Sequence, residues 1–314
     1  MNLLVTGASG FIGRNLILSL PKTSRVVAIY HHSADFPSFI KDHHLTHVTA
    51  IKCDLTNDSD VKAFWQKYKQ FEACVYLSAN GDPALSAHEP LLDFQKNLLA
   101  LVTFFAYAKL QKLIFFSSGA VYDGLTGLVS PESKLNPKLP YAISKLASEQ
   151  YIQFFAKKGQ IENYIILRFF GAFGPYEPER KIYTKLVRAF ALEGKDEFVV
   201  RGDGKNLIDA MYVDDTIDGI LKVMASSEKN KIVDFCSGTP VAIDDLVKAA
   251  AKVLTKKPIK IIHQGEVPEY IAFRVSAQGM KDLFGFKPRI SLEDGLKSFL
   301  EFIKSKEGFV HDKK

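Results

Sequence analysis

Ser118, Tyr141 and Lys145 are the residues of this 314-residue chain whose types and spacing point to shared chemistry. Tyr141 and Lys145 stand four apart in Pro140-Tyr-Ala-Ile-Ser-Lys145. That segment opens on a proline suited to a helix start and reads as helix to about Lys158, so the two side chains share one face. A phenol titrating at about 10 is a poor base at neutral pH. A neighbouring ammonium stabilises the phenolate and lets Tyr141 exchange a proton with a substrate hydroxyl or ketone. Ser118 follows the apolar run Lys112-Leu-Ile-Phe-Phe116, read as a buried strand, and is placed to hydrogen-bond the same oxygen. Tyr-x-x-x-Lys recurs by chance on amphipathic helices. It becomes specific when the chain also carries a site for a hydride carrier.

Such a site is read at the start of the chain. Asn2-Leu-Leu-Val5 has the composition of a buried strand, Thr6-Gly-Ala-Ser-Gly10 that of a tight turn, and Phe11 to Leu20 shows helical spacing. Gly7, Gly10 and Gly13 thus fall where a strand feeds a helix. There the backbone can approach a pyrophosphate, and a helix N-terminus offers unpaired N–H groups. The spacing is Gly-x-x-Gly-x-x-Gly rather than the G-x-G-x-x-G form. The second strand, Arg25 to Tyr30, ends at His31-His32 with no carboxylate for a ribose 2′-hydroxyl. That gap leans the expectation slightly from NAD towards NADP; for Arg14 and a protonated His31, meeting the 2′-phosphate stands level with stacking on the adenine or simply facing solvent. His31, His32, His43, His44 and His47 crowd one region, but without cysteines or a helical His-x-x-x-His pair they read as a polar loop, and no metal is expected.

These residues need a scaffold, and the pattern supplies one. Strands read at 49–53, 73–77, 112–116 and 164–170 alternate with helices at 57–69, 91–110 and 141–158, which predicts an α/β fold with a Rossmann-type, doubly wound parallel sheet. Ligands then sit beyond the carboxyl ends of the strands, where Gly7, Asp54, Ala79 and Ser118 lie. The regular alternation loosens after residue 170. The expected division is a dinucleotide-binding domain at 1–168, rejoined by about 205–240, and a smaller, mostly helical substrate lobe from 169–204 and 241–314. Leu91 to Leu110 is apolar on more than one face, Phe104 and Phe105 included, which suggests a homodimer. The net charge of +6 is scattered lysine without a basic stripe, which argues against nucleic acid as partner. Three cysteines in apolar runs and no uncharged run of ~18 apolar residues suggest a cytoplasmic protein without membrane contact.

The chain resembles the extended short-chain dehydrogenases/reductases, the NAD(P)-dependent sugar epimerases and dehydratases, from Asn2 to about Phe302. The resemblance is carried by Thr6-Gly-Ala-Ser-Gly-Phe-Ile-Gly13, Asp54-Leu55, Leu77-Ser-Ala79, Asn97, Phe116-Ser-Ser-Gly-Ala-Val-Tyr122, Tyr141-Ala-Ile-Ser-Lys145, Leu167-Arg-Phe-Phe170, Gly174-Pro175 and Met211-Tyr-Val-Asp-Asp215. It implies that Asp54 and Leu55 approach the adenine, that Ala79 lines the cofactor groove, that Asn97 supports the catalytic lysine, and that the helices at 91–110 and 141–158 pair across a dimer. The cofactor contacts so implied are Gly7, Ser9, Gly10, Phe11, Ile12, Gly13, Arg14, His31, Asp54, Leu55, Leu77, Ser78, Ala79, Asn97, Tyr141, Lys145 and Phe169. Those of the substrate are Asn80, Ser118, Gly119, Gly171, Arg180 and Arg274.

Departures from the family narrow the activity. The similar 4,6-dehydratases carry an Asp-Glu pair where this chain has Gly119-Ala120, and the 3,5-epimerase/reductases a cysteine at Ala120. Chemistry at one carbinol carbon remains. The expected function is an NAD(P)-dependent epimerase of a sugar or nucleotide sugar. The alternatives are an NADPH-dependent keto-sugar reductase and a non-catalytic dinucleotide-binding protein. The lobe departs further: family members place Asn at Gly171, Arg at Ile208 and Arg near His263 to grip a diphosphate. Arg180, Lys181, Lys185 and Arg274 are the candidate replacements; otherwise the substrate carries no nucleotide.

Overall fold

The apolar runs of the first half form strands buried on both faces, as a parallel sheet covered by helices requires. In Asn2–Thr6 (β1), for example, Leu3, Leu4 and Val5 have no exposed surface. The structure, a computed structural model, describes residues 1–255, 257–266 and 271–311. Six further strands join β1: Arg25–Tyr30 (β2), Val48–Lys52 (β3), Phe71–Tyr76 (β4), Leu110–Ser118 (β5), Ile161–Phe169 (β6) and Lys231–Phe235 (β7). All pair in parallel, in the order β7-β6-β5-β4-β1-β2-β3. The order reverses at β1, so a crevice opens between the carboxyl ends of β1 and β4, the usual place for a ligand in such sheets. The Rossmann-type architecture is as the sequence predicts.

One helical segment differs from expectation. The helix read over 91–110 is Pro90–Phe94, a π-helical turn at Gln95–Leu99, and Ala100–Ala106, with β5 starting at Leu110. Phe104 and Phe105 are fully buried in the chain's own aromatic core, around Trp65, Tyr76 and Phe155, and form no outer face. The exposed apolar side chains here are instead Leu91 and Phe94, with Ile143, Tyr151 and Phe154 on helix Pro140–Lys157. A period-3.6 reading cannot phase a helix that contains a π turn, because the extra residue rotates everything after it.

The second half supplies the lobe. Helices Ile182–Val187, Ile243–Leu254, Gln278–Phe284 and Leu292–His311 carry most of it. Among the described residues four two-stranded sheets accompany them, which the helical expectation omits. One of these, Ala272–Val275 on Thr126–Val129, folds a late segment back over the end of β5. Helix Val213–Ala225 and β7 return to the main sheet. No described helix is long and apolar enough to cross a membrane.

Candidate active site

The glycine turn has the geometry a pyrophosphate needs. Gly7 adopts φ +64°, and a Cβ there would sit 2.8 Å from the backbone of Leu77 and Ser78. A Cβ on Gly13 would sit 2.5 Å from the Gly7 carbonyl oxygen. Thr6 stitches β1 to the neighbouring loop, its Oγ1 accepting from the Leu77 and Ser78 amides at 3.2 and 3.3 Å. Helix Phe11–Ser19 starts at Gly10 without a side-chain cap, so its first N–H groups are left for an anion.

Beside the turn lies a groove of about 310 Å³ lined by Gly7, Ser9, Gly10, His31, Asp54, Leu55, Leu77, Ser78 and Ala79 from the sequence reading. Tyr30, His32, Ser33, Cys53, Thr56 and Lys96 also line it. Asp54 Oδ1 accepts from the Thr56 amide and hydroxyl, and its other oxygen lies 3.7 Å from His31 Nε2. Phe11 and Ile12 pack inward against the core instead. Arg14 is already engaged. Its guanidinium bonds Asp35 at 2.7 Å and the Ser9 carbonyl at 2.9 Å and lies over the Phe39 ring. The histidines are also dispersed: His31 stacks on His32, while His43 packs against Phe39.

Ser118 ends β5, and the Tyr141 and Lys145 side chains meet it from helix Pro140–Lys157. Lys145 is buried; its Nζ donates to the Phe116 carbonyl at 2.8 Å and lies 5.9 Å from the centre of the Tyr141 ring. Burial lowers Lys145 to about 8, against the opposing pull of the Asp93 and Glu149 carboxylates. Burial raises the Tyr141 phenol, a hydrogen bond with Ser118 draws it back, and Asp93 pushes it up again. The expected lowering of the phenol by the Lys145 ammonium does not show: burial and Asp93 hold it above its ordinary value. Behind Ser118, Ser117 and Arg168 both bond Glu149, and Arg168 also reaches Tyr122, whose hydroxyl donates to Asp234. This buried network locks β5, β6, β7 and the helix together, so the Ser118 end of the strand is fixed.

Asn97 does not bond Lys145. Its Oδ1 accepts from the Asn80 amide at 2.6 Å and its Nδ2 donates to Asp93 at 2.7 Å. Asn80 is buried in the same cluster. A cavity of about 170 Å³ opens from Ser118 and Gly119 to Phe169, Phe170, Leu207, Ile208, Ile271, Phe273 and Arg274. Any side chain at 119 would run into the Phe170 ring, with 2.6 Å from a Cβ to its nearest carbon. Gly171 packs against Asp209 and Ala210. Arg180 pairs with Asp82 at 3.4 Å, and Arg274 is exposed at the cavity's edge.

Asp93 and Asp209 escape the sequence reading. The only signal for Asp93 is its place one turn before Asn97. Asp209 is buried and accepts from the Ser237 and Gly238 amides, a contact between distant segments that no local pattern announces.

Residues 3–236 match the model of the NAD dependent epimerase/dehydratase family. The chain is 26% identical over 318 residues to a putative UDP-glucose 4-epimerase of Methanocaldococcus jannaschii, covering 96% of this chain and 98% of the relative. Among solved structures it resembles UDP-glucuronic acid 4-epimerase from Bacillus cereus in complex with UDP-glucuronic acid and NAD, with 25% identity, a TM-score of 0.86, and 98% and 100% of the two chains covered. It equally resembles UDP-N-acetylglucosamine 4-epimerase from Methanobrevibacter ruminantium, at 26% identity and TM-score 0.85 over 97% and 98%. With about three quarters of its length, residues 3–236, in the family model, the chain belongs to the NAD dependent epimerase/dehydratase family.

Proposed function

We propose that the protein is an NAD(P)-dependent epimerase acting at one carbinol carbon of a sugar, carried on a nucleotide as in its relatives. The observation that carries this reading is Tyr141 and a buried Lys145 on one helix face, the Lys145 Nζ 5.9 Å from the Tyr141 ring centre and bonded to β5 two residues before Ser118, where Gly119-Ala120 supply no second acid or base. The bound dinucleotide supplies a hydride acceptor that returns the hydride later. Tyr141 takes the proton of the substrate hydroxyl and gives it back to the ketone oxygen. Ser118 holds that oxygen, and Lys145 orients the cofactor.

NAD is the better supported dinucleotide. Arg14, the strongest sequence candidate for a 2′-phosphate, is engaged by Asp35, and His31 stands beside the Asp54 carboxylate. A one-way NADPH-dependent reductase uses the same three residues. Separate titrations of NAD and NADP, followed by turnover without added nicotinamide, decide between them: an epimerase keeps its cofactor, whereas a reductase consumes NADPH with product. Tyr141→Phe lowers kcat at least ~10²-fold and leaves cofactor affinity nearly unchanged. Full turnover in that variant rejects Tyr141 as the base.

We also read the exposed apolar strip of Leu91, Phe94, Ile143, Tyr151 and Phe154 as the face of a homodimer, in place of Phe104 and Phe105. Light scattering is expected to give twice the chain mass, and Phe154→Asp the single mass. A monomeric parent protein rejects this face.

A further inference from the structure

Asp93 is a carboxylate with no exposed surface at the end of segment Pro90–Phe94, just before the π-helical turn that carries Asn97. Its Oδ1 accepts from the side-chain amides of Asn97 at 2.7 Å and Asn80 at 3.0 Å. Its Oδ2 is equally buried and has no hydrogen-bond partner. An ionised carboxylate persists in such a place only if a nearby cation compensates it. Segment Pro90–Phe94 packs on helix Pro140–Lys157, which carries Lys145. The other buried cation of the region, Arg168, is committed to both oxygens of Glu149. Lys96 is exposed and lines the groove beside the glycine turn. That leaves Lys145, whose one hydrogen bond is to a neutral carbonyl, as the cation without a contact partner of opposite charge.

We propose that Asp93 is the counter-ion of the Tyr141–Lys145 pair. It is a positioning residue that keeps Lys145 an ammonium ion and, through Asn97 and Asn80, holds the loop after β4 against the cofactor groove. This rests on the reading of Tyr141 and Lys145 as the working pair. The charges that act on Lys145 agree with it: after burial, Asp93 is the largest and Glu149 the second, and Asp93 also acts on the Tyr141 phenol. Asp93 and Asn97, four residues apart, lie on the same buried side of this helical stretch.

The test follows Lys145 directly and needs no substrate. In NAD-loaded protein carrying 13C at lysine Cε, the Lys145 resonance is assigned by its loss in Lys145→Met and titrated by NMR. Asp93→Asn keeps the size of the side chain and removes its charge. The Lys145 midpoint is expected to fall by on the order of one pH unit in that variant. An unmoved midpoint in folded Asp93→Asn overturns the proposal, because a merely structural Asp93 changes melting temperature and not the titration. If Asp93→Asn does not fold, Lys145→Met serves instead. It removes the compensating cation from beside a buried carboxylate, so the melting temperature is expected to fall, relative to the parent, as pH rises from about 4 towards neutrality. Parallel melting profiles overturn the proposal. A shifted Lys145 midpoint together with full turnover in Tyr141→Phe would uphold the coupling and reject the catalytic reading on which it was built.

Discussion

The two sides of the cleft are built from opposite materials. On the cofactor side the backbone does the recognising: Gly7 with φ +64°, the uncapped start of helix Phe11–Ser19, and Thr6 tying β1 to the loop after β4. On the lobe side the cavity beyond Ser118 is mostly aromatic and aliphatic, with Asp209 and Arg274 its charged members. Asp209 is occupied by the Ser237 and Gly238 amides. A backbone cradle tolerates little change, because any Cβ meets main chain that cannot move aside. A side-chain-lined cavity can exchange one substrate for another by single substitutions. On the proposed reading, the backbone side would be held to one chemistry and the side-chain-lined cavity would set the specificity.

The largest expected effect breaks the cofactor side. Gly13→Ala places a Cβ 2.5 Å from the Gly7 carbonyl oxygen and 2.7 Å from the Ala8 backbone. Helix Phe11–Ser19 must then move away from the turn, and the pyrophosphate loses both supports. Dinucleotide affinity, measured by calorimetry, is expected to fall by roughly 10²-fold or more, about 2.7 kcal/mol. Gly81→Ala is the control in the neighbouring loop, since nothing lies within 4 Å of its Cβ position. Equal binding by Gly13→Ala and the parent protein would remove the cradle from the argument for cofactor binding.

The same contrast decides how much of the molecule was legible in its sequence. Backbone recognition leaves a strong mark, since close approach selects glycine and buried parallel strands select unbroken apolar runs; hence the sheet and the turn could be read from residues 2–13 and the later runs. Tyr141, Lys145 and Ser118 were legible because helical spacing and a strand end are local facts. What escaped depends on tertiary packing. Arg14 sits beside the glycine turn in sequence, and nothing local announces that Asp35 and the Phe39 ring engage its guanidinium. Phe104 and Phe105 are as apolar as any interface residue, and the π turn at Gln95–Leu99 turns them into the core while Leu91 and Phe94 stay outside. Asp93 is an unremarkable acidic residue in a helix by sequence. Only its complete burial beside Asn80, Asn97 and the Lys145 helix gives it meaning.

The smaller effect sharpens the lobe side. Ile208 stands where members of the resembling family place an arginine that grips a diphosphate. In this fold it lies on strand Leu207–Ile208, paired with Val241–Ala242, at the rim of the cavity that opens from Ser118. The strand position is thus kept while its cation is missing. Two explanations follow. Either a diphosphate is still bound, more weakly and with help from exposed Arg274, or the lobe accepts a sugar that carries no nucleotide. Ile208→Arg separates them, with uridine diphosphate as the probe. An arginine fork restored to a working diphosphate site is expected to tighten uridine diphosphate about tenfold, or ~1.4 kcal/mol, with an effect that weakens as salt is added. Neighbouring Asp209 does not cancel it, because both its oxygens already accept backbone amides. An unchanged affinity would mean that no phosphate reaches this rim, and the nucleotide part of the proposed substrate would have to be given up while Tyr141, Lys145 and Ser118 kept their roles.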